Sequence, residues 1–226
     1  MGGTQKHIRL KVCGMRELEN IKQLAELNPE YMGLIFYDKS PRFMDRTLLA
    51  SDLSFMPKSI FKVGVFVNED IANVKTKVIE FNLDLVQLHG SEDVDYCRSC
   101  RENTMVIKAF PMNDGFEFDF LNQYEDNVDF FLFDTKTKSH GGSGKKFNWS
   151  ILKHYHLNKP FFLSGGIGED DLEEINSLEL SALFAIDINS RVEIKPGLKD
   201  IKKVRLIQKK LNSDTLINYS KNESSS

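Results

Sequence analysis

Residues 131–147 of this chain read FLFDTKTKSHGGSGKKF. An apolar run of the kind that forms a buried strand stops at a carboxylate, Asp134, and continues into a loop that holds Gly141, Gly142 and Gly144. Glycine adopts backbone conformations that other residues resist, so such a loop can close over a small ligand. This segment alone leaves an ordinary surface connection, with Asp134 as a helix cap, equally open. Similar strand endings elsewhere in the chain favour the first interpretation.

Seven further runs of β-branched and aromatic residues alternate with charged stretches of helical period, about 25 residues apart, which is typical of repeated βα units. The eight predicted strands are IRLKVCG (8–14), YMGLIFY (31–37), FKVGVFV (61–67), LDLVQLHG (83–90), VIKAF (106–110), FFLFDTK (130–136), PFFLSGG (160–166) and LFAIDINS (183–190). Helices are predicted over 17–27, 70–81 with Asn68 as the cap, 169–177 and 199–211.

Eight strands with helical crossovers in 226 residues predict an α/β fold, a single (β/α)8 TIM barrel. An open doubly wound sheet is less favoured because no G-x-G-x-x-G fingerprint follows any of the runs. We place the catalytic barrel at residues 1–211. Residues 212–226 are polar and rich in serine, which predicts a frayed tail.

Composition excludes several classes of protein. A formal net charge of -3 gives no electrostatic footprint for nucleic acid or an anionic membrane, and no apolar run has membrane-spanning length. Three cysteines, an odd number, and a start without an apolar signal core indicate a reducing, cytoplasmic location. Cys97-x-x-Cys100 lacks a second pair and suitably spaced histidines, so we interpret it as two helix positions of mixed exposure and predict no metal site.

A barrel carries its active site where the strands end, at their carboxyl edge. The first run stops at Cys13, the fourth at His89 and the sixth at Asp134. A thiol and a carboxyl group at opposed strand ends can act as a base and an acid. Gly165 and Gly166 precede a predicted helix, where exposed backbone N–H groups can receive an anion.

Eight sequence words fall in the same order and at similar intervals as in a known family. They are KVCG (11–14), GLIFYDKSPRFM (33–44), VGVFVNE (63–69), LDLVQLHGSED (83–93), IKAF (107–110), FDTKTKSHGGSGKKFNW (133–149), FLSGGI (162–167) and DINSRVEIKPGLKD (187–200). Over about residues 7–205 the chain resembles the phosphoribosylanthranilate isomerases of tryptophan biosynthesis. The resemblance implies an Amadori rearrangement of N-(5-phosphoribosyl)anthranilate to 1-(2-carboxyphenylamino)-1-deoxyribulose 5-phosphate, with no metal or organic cofactor.

The resemblance also implies roles for single residues. The family's general base falls on Cys13 and its general acid on Asp134, which would protonate the furanose ring oxygen before the base removes the C2′ proton. We hypothesise that a nearby cation or amide dipole favours the thiolate of Cys13. Arg42 matches the family's clamp for the anthranilate carboxylate, and His89 matches a pocket or structural residue.

The phosphate is expected at the ends of strands seven and eight, with the loop that holds Gly142 and Gly144 near the sugar. The expected phosphate ligands are Gly165, Gly166, Asn189, Ser190 and Arg191. Arg191 departs from the family, which usually has glycine there. Its guanidinium is expected to contact the phosphate, to extend into solvent, or to pair with Glu193 or Asp187.

Three other functions stay open at this point. A metal-dependent epimerase would need His and Asp ligands at several strand ends, and only His89 of the five histidines lies at one. Indole-glycerol-phosphate synthase would need a catalytic lysine where this chain has Cys13 and Asp134. A non-catalytic sugar-phosphate-binding barrel would need neither of these residues. The partner is expected to be the small phosphosugar–anthranilate substrate, and the chain a monomer or homodimer.

Overall fold

The eight predicted strands all form, and they pair in parallel, in chain order, as a closed barrel. The computed structural model describes residues 7–44, 48–135 and 146–223, and the side chains as far as residue 213. The strands are β1 (Arg9–Val12), β2 (Tyr31–Ile35), β3 (Phe61–Phe66), β4 (Leu85–Leu88), β5 (Met105–Met112), β6 (Phe130–Thr135), β7 (Phe161–Leu163) and β8 (Leu183–Ile188). The prediction of a TIM barrel is therefore confirmed.

The described crossovers carry helices of uneven length. The α-helices are α1 (Leu18–Leu27), α2 (Ile71–Phe81), α3 (Val94–Arg101), α4 (Leu172–Ser177) and α5 (Ile201–Glu223). Single 3₁₀ segments stand at Ala50–Leu53, Phe118–Asn127, Trp149–His154, Glu169–Asp171 and Ser190–Val192, and a short antiparallel hairpin of β9 (Glu193–Lys195) and β10 (Leu198–Lys199) precedes α5. The backbone is helical to Glu223, and the domain boundary at 211 stays a prediction.

The sequence suggested that Asn68 caps α2, and this prediction was wrong. Asp70 holds that position, where its side chain accepts a hydrogen bond from the backbone N–H of Ala72. Asn68 instead takes a left-handed backbone conformation, φ 48°, and its amide oxygen accepts the N–H of Ser91 at 2.7 Å. Asparagine is favoured both at caps and in this conformation, so the sequence could not separate the two.

The helix α3 was missed, although its cysteines were expected on a helix. Cys97 and Cys100 are three positions apart and share one face, and both are buried rather than of mixed exposure. Burial raises the pKa of Cys97 to about 12 and that of Cys100 to about 11, so both are inert thiols. The described residues contain no group of three His, Cys, Asp or Glu side chains placed to hold a metal ion.

Inside the barrel, the side chains are apolar towards the amino-terminal ends of the strands and polar towards their carboxyl-terminal ends. Strands β2 to β8 each contribute to a small apolar cluster, which contains Tyr31, Val63, Leu85, Ile107, Ala109, Leu132, Phe162 and Ala185. Side chains alternate along a strand, so positions two residues apart face the same way. One such step beyond Ala185, β8 presents Asp187, which pairs in register with Lys11 of β1. The polar groups thus gather towards the carboxyl edge. No helix in the described parts of the chain is long and apolar enough to cross a membrane.

Candidate active site

Cys13 lies immediately after β1, and it is held rigidly. Its backbone N–H donates to the carbonyl of Ile188 at 2.9 Å, which continues the pairing of β1 with β8. Only 4% of the residue is exposed. A methyl group on Gly33 would lie 2.7 Å from the sulfur, so glycine at this position of β2 makes the room that the thiol occupies.

A buried ion pair lies under this thiol. Lys11 donates to Asp187 through Nζ and Oδ2 at 2.8 Å, and both side chains are almost wholly enclosed. Lys11 and Cys13 are two positions apart along the chain, which places both side chains on one face of the strand. Burial raises the pKa of the Cys13 thiol, while Lys11 and Lys199 oppose that rise. The predicted cation is present, but the net direction is upward because desolvation is the largest cause.

Asp134 lies near the end of β6 and contacts His89, which follows β4. The distance from Asp134 Oδ2 to His89 Nε2 is 3.2 Å, and Oδ1 accepts the N–H of Thr135 at 2.8 Å. Gln87 Nε2 lies 2.7 Å from the other ring nitrogen of His89. If the Gln87 amide donates there, the proton of His89 sits on Nε2 and is donated to Asp134. His89 was predicted as a pocket or structural residue, and it is a direct partner of the proposed acid.

Arg42 is buried, and its guanidinium already hydrogen bonds to a carboxylate of this chain, that of Glu193. Nε and Nη2 donate to the two oxygens of Glu193 at 2.8 and 2.6 Å. These are two of the five N–H donors of a guanidinium, so a substrate carboxylate would have to meet the Nη1–Nη2 edge or displace Glu193. Gly14, with φ 76°, permits this packing, because a methyl group there would lie 2.8 Å from Arg42 Cδ.

Glu193 joins Arg42 to a second buried cation, Lys199. Its Oε1 accepts from Lys199 Nζ at 2.7 Å and from the N–H of Gly197 at 3.0 Å. Burial alone would raise the pKa of Glu193, but the bonds from Arg42 and Lys199 hold it below its usual value. Burial lowers the pKa of Lys199 to about 8, against the effect of Glu193. Lys199 Nζ also donates to Asn189 Oδ1 at 2.6 Å.

Sequence reasoning gave no role to Lys11, Lys199 or Glu193 in this site. A signal was present for Lys11, since a lysine inside an otherwise apolar strand is rarely buried without a partner. The partners themselves were not visible, because 176 residues separate Lys11 from Asp187 and 151 separate Arg42 from Glu193.

The residues expected around the phosphate lie at the ends of β7 and β8. Gly165 and Gly166 have positive φ angles of 100° and 69°. A methyl group on Gly165 would lie 2.3 Å from Thr135 Oγ1 and 3.2 Å from Asp134 Oδ1, so this glycine packs directly against the proposed acid. Asn189 and Ser190 enter the 3₁₀ segment after β8. Gly142 and Gly144 lie outside the described residues.

Arg191 is exposed and leans over the turn after β7. Its Nε and Nη2 atoms would be 3.3 Å from a methyl group built on Gly168, so the guanidinium lies against that glycine. Glu193 and Asp187, the two acids considered as partners for Arg191, bind Arg42 and Lys11 instead.

The arrangement combines a thiol, a carboxyl group bound to an imidazole, and a guanidinium at one end of a barrel. These groups can move protons between oxygen and carbon atoms of a bound sugar, and the guanidinium can hold a carboxylate.

Comparison with known proteins gives a consistent result. Residues 10–210 match the family model described as N-(5'phosphoribosyl)anthranilate (PRA) isomerase. The N-(5'-phosphoribosyl)anthranilate isomerase of Parabacteroides distasonis is 43% identical over 201 residues, 87% of this chain and 90% of that protein. A crystal structure of mutually generated monomers of the dimeric phosphoribosylanthranilate isomerase of Thermotoga maritima superimposes with a TM-score of 0.74, at 29% identity, over 91% of this chain and 99% of that one. A phosphoribosyl anthranilate isomerase in complex with reduced 1-(o-carboxyphenylamino)-1-deoxyribulose 5-phosphate gives a TM-score of 0.75, at 28% identity and the same coverage.

Proposed function

Because this chain belongs to the family of N-(5'-phosphoribosyl)anthranilate isomerases, we propose that Cys13 and Asp134 carry the proton transfers of its reaction. The chain is an isomerase of tryptophan biosynthesis. The family match excludes the alternatives that the sequence left open, namely an epimerase, indole-glycerol-phosphate synthase and a non-catalytic barrel. The observation that supports the two roles is the position of both groups at the carboxyl edge of one closed barrel, Cys13 after β1 and Asp134 in β6.

Asp134 acts first, as the general acid. It gives a proton to the furanose ring oxygen, and the C1′–O bond breaks to leave an open-chain Schiff base. His89 contacts Asp134 Oδ2 and the N–H of Thr135 fixes Oδ1, so the carboxyl group is held in one orientation. Positioning of this kind contributes to the rate because the proton donor does not have to be oriented in the transition state.

Cys13 then acts as the general base. Its thiolate removes the C2′ proton, the electron pair of that C–H bond forms the C1′=C2′ double bond, and the C=N pair returns to nitrogen to give the enolamine, which tautomerises to the ketone of the product. Because burial raises the pKa of the thiol, the groups that stabilise its thiolate determine how much base is present at neutral pH.

Arg42 is proposed to bind the anthranilate carboxylate. Glu193 and Gly14 fix the guanidinium near the end of β1, and the edge formed by Nη1 and Nη2 can give two parallel hydrogen bonds to a carboxylate. Lysine could not supply this fork.

The phosphate is proposed to bind between the turn after β7 and the turn after β8. Gly165 and Gly166 supply backbone with positive φ, and successive N–H groups in such turns form concave sites for anions. Arg191 lies against Gly168 of the same turn, so its guanidinium can add charge-assisted hydrogen bonds.

The test of the two proton-transfer roles uses Cys13→Ser and Asp134→Asn, with Cys100→Ala as the control that removes a buried thiol outside the site. Each site variant should lower kcat by at least about 100-fold and leave the affinity for a reduced product analogue within a few-fold, and the control should keep near-normal turnover. Loss of substrate fluorescence in freshly prepared phosphoribosylanthranilate measures the rate. Near-normal turnover in either site variant would remove that residue from its role.

The assembly and location of the chain are part of the same proposal. The Thermotoga maritima relative is described as dimeric, which supports a homodimer, and the monomer is the alternative. Sedimentation at micromolar concentration distinguishes them. The cytoplasmic location stays a prediction.

A further inference from the structure

The buried ion pair beneath Cys13 has no assigned part in the reaction. Lys11 and Cys13 are two positions apart on the same strand, so their side chains lie on the same face. Lys11 is 0% exposed and Asp187 is 4% exposed. Lys11 Nζ donates to Asp187 Oδ2 at 2.8 Å, while Asp187 Oδ1 has no hydrogen-bond partner among the described residues.

A second buried lysine shows how a purely structural lysine is held in this fold. Lys108 Nζ donates to the carbonyls of Leu88, Gly90 and Ala109 and to the carboxylate of Glu92, at 2.8 to 3.3 Å. An ammonium group has three donors, so Lys108 is fully satisfied by oxygen atoms. Lys11 donates to one carboxylate oxygen, and the thiol on the same face of the strand is a weak acceptor until it loses its proton.

Removing a charge from water is unfavourable unless its partners in the protein compensate. The compensation for Lys11 is incomplete while Cys13 is protonated and becomes stronger when the thiolate forms. We propose that Lys11 is a positioning residue that stabilises the thiolate of Cys13, and that Asp187 sets how much of the lysine's charge the thiolate receives. This inference rests on the proposed role of Cys13 as the base.

The charged groups around the thiol determine the expected signs. Lys11, Asp187 and Lys199 act on Cys13 itself, and Asp134 and His89 act on Asp187 from the other side of the barrel. The pKa of Lys11 is raised by Asp187 and Cys13 against the effect of burial, so this lysine keeps its proton throughout. The C2′ proton therefore moves to the sulfur, and Lys11 only changes how strongly it pairs with each anion.

Two substitutions at the pair should act in opposite directions. Lys11→Met removes the cation, so the Cys13 thiol should titrate at least about one pH unit higher. Asp187→Asn removes the competing anion and leaves Lys11 to pair with the thiolate, so the thiol should titrate lower. Lys108→Met is the matched control, because it removes a buried lysine of the barrel whose partners are Glu92 and three backbone carbonyls rather than Asp187.

The measurement is the ultraviolet absorbance of the thiolate against pH, in the absence of substrate. Subtracting the same titration in a Cys13→Ser background isolates Cys13 from the other two thiols. The pH profile of kcat/KM should shift with the titration, upward for Lys11→Met and downward for Asp187→Asn. If Lys11→Met does not fold, the pair is replaced together in Lys11→Met/Asp187→Leu, which should also titrate above the wild type.

Equal Cys13 titrations in the wild type and the Lys11 variants would overturn the inference, and so would shifts of the same sign in Lys11→Met and Asp187→Asn. A comparable shift in Lys108→Met would show that the effect is general destabilisation and would overturn it as well. Failure of the proposed function has a different signature, since Cys13→Ser would then keep its turnover whatever the titrations show.

Discussion

Replacing Glu193 by Gln removes the negative charge that Arg42 and Lys199 share, and the structure predicts the size of the loss. Arg42 cannot release its proton, and a glutamine amide offers it one neutral oxygen in place of the two carboxylate oxygens at 2.8 and 2.6 Å, which costs about 1.5–3 kcal/mol. Lys199 can release its proton. At pH 7 Lys199 can lose no more than the free energy needed to remove its proton, which is about 1 kcal/mol for a group whose pKa is about 8. We expect Glu193→Gln to lower the free energy of unfolding by about 3–4 kcal/mol at pH 7.

The same reasoning fixes how the loss depends on pH. Burial holds the folded pKa of Lys199 below its unfolded value of about 10.4, so raising the pH through 8 neutralises this lysine in the folded state first. Above pH 8 Lys199 is neutral with or without Glu193, and its share of the loss disappears. The destabilisation by Glu193→Gln should therefore shrink by about 1 kcal/mol between pH 7 and pH 9.

Urea unfolding at both pH values measures the loss. The control is Glu19→Gln, whose carboxylate is 77% exposed and pairs with Lys22 on the surface of α1, and it should cost less than about 0.5 kcal/mol. A loss below about 1 kcal/mol for Glu193→Gln at pH 7, or a loss that stays constant to pH 9, would refute the shared-carboxylate interpretation.

Three other substitutions and one pH profile test the site. Gly165→Ala introduces a methyl group 2.3 Å from a hydroxyl oxygen at φ 100° and should lower both stability and kcat, whereas Gly115→Ala, with its nearest contact at 3.5 Å, should be neutral in urea unfolding and turnover. His89→Asn should lower kcat more than it raises KM, since the imidazole orients the acid; a change in KM alone would refute this. Arg191→Ala should raise KM and weaken inorganic phosphate binding at low ionic strength with kcat nearly intact, and unchanged phosphate affinity would leave the backbone amides as the only ligands. Because the base must be deprotonated and burial raises the pKa of Cys13, the residual kcat/KM of Asp134→Asn, which lacks the acid, should keep rising with pH beyond about 8.5, and a plateau near pH 7 in that variant would contradict the direction.

The fold could be predicted from the sequence because its signals are local. The apolar runs are short and regularly spaced, and four of the eight are followed by a predicted helix, so both features can be identified without knowing which residues are neighbours in space. The prediction of the α2 cap was wrong because Asn68 and Asp70 are both good cap residues, and only the backbone conformation separates them.

The candidate site was predicted in part. The positions of Cys13 and Asp134 at strand ends follow from the barrel, because parallel strands bring all their carboxyl ends to one edge. The direction in which the pKa of Cys13 shifts could not be predicted from the sequence. It depends on whether burial of the thiol, which raises the pKa, outweighs the effect of Lys11, which lowers it. Arg42 is predicted to bind the substrate carboxylate, but its pairing with Glu193 of the same chain was not foreseen.

The sequence by itself determined the number, order and parallel direction of the strands and the chemical types available at their ends. Only the tertiary structure decided which charged groups meet. Lys11 faces Asp187 because the barrel closes by pairing the first strand with the eighth, in a register that is a property of the whole sheet. Arg42 reaches Glu193 because the loop after the second strand folds over the end of the first, next to Gly14. Closure of the barrel brings these partners together from distant parts of the chain. Each charge can be buried only because its partner lies beside it in the folded barrel.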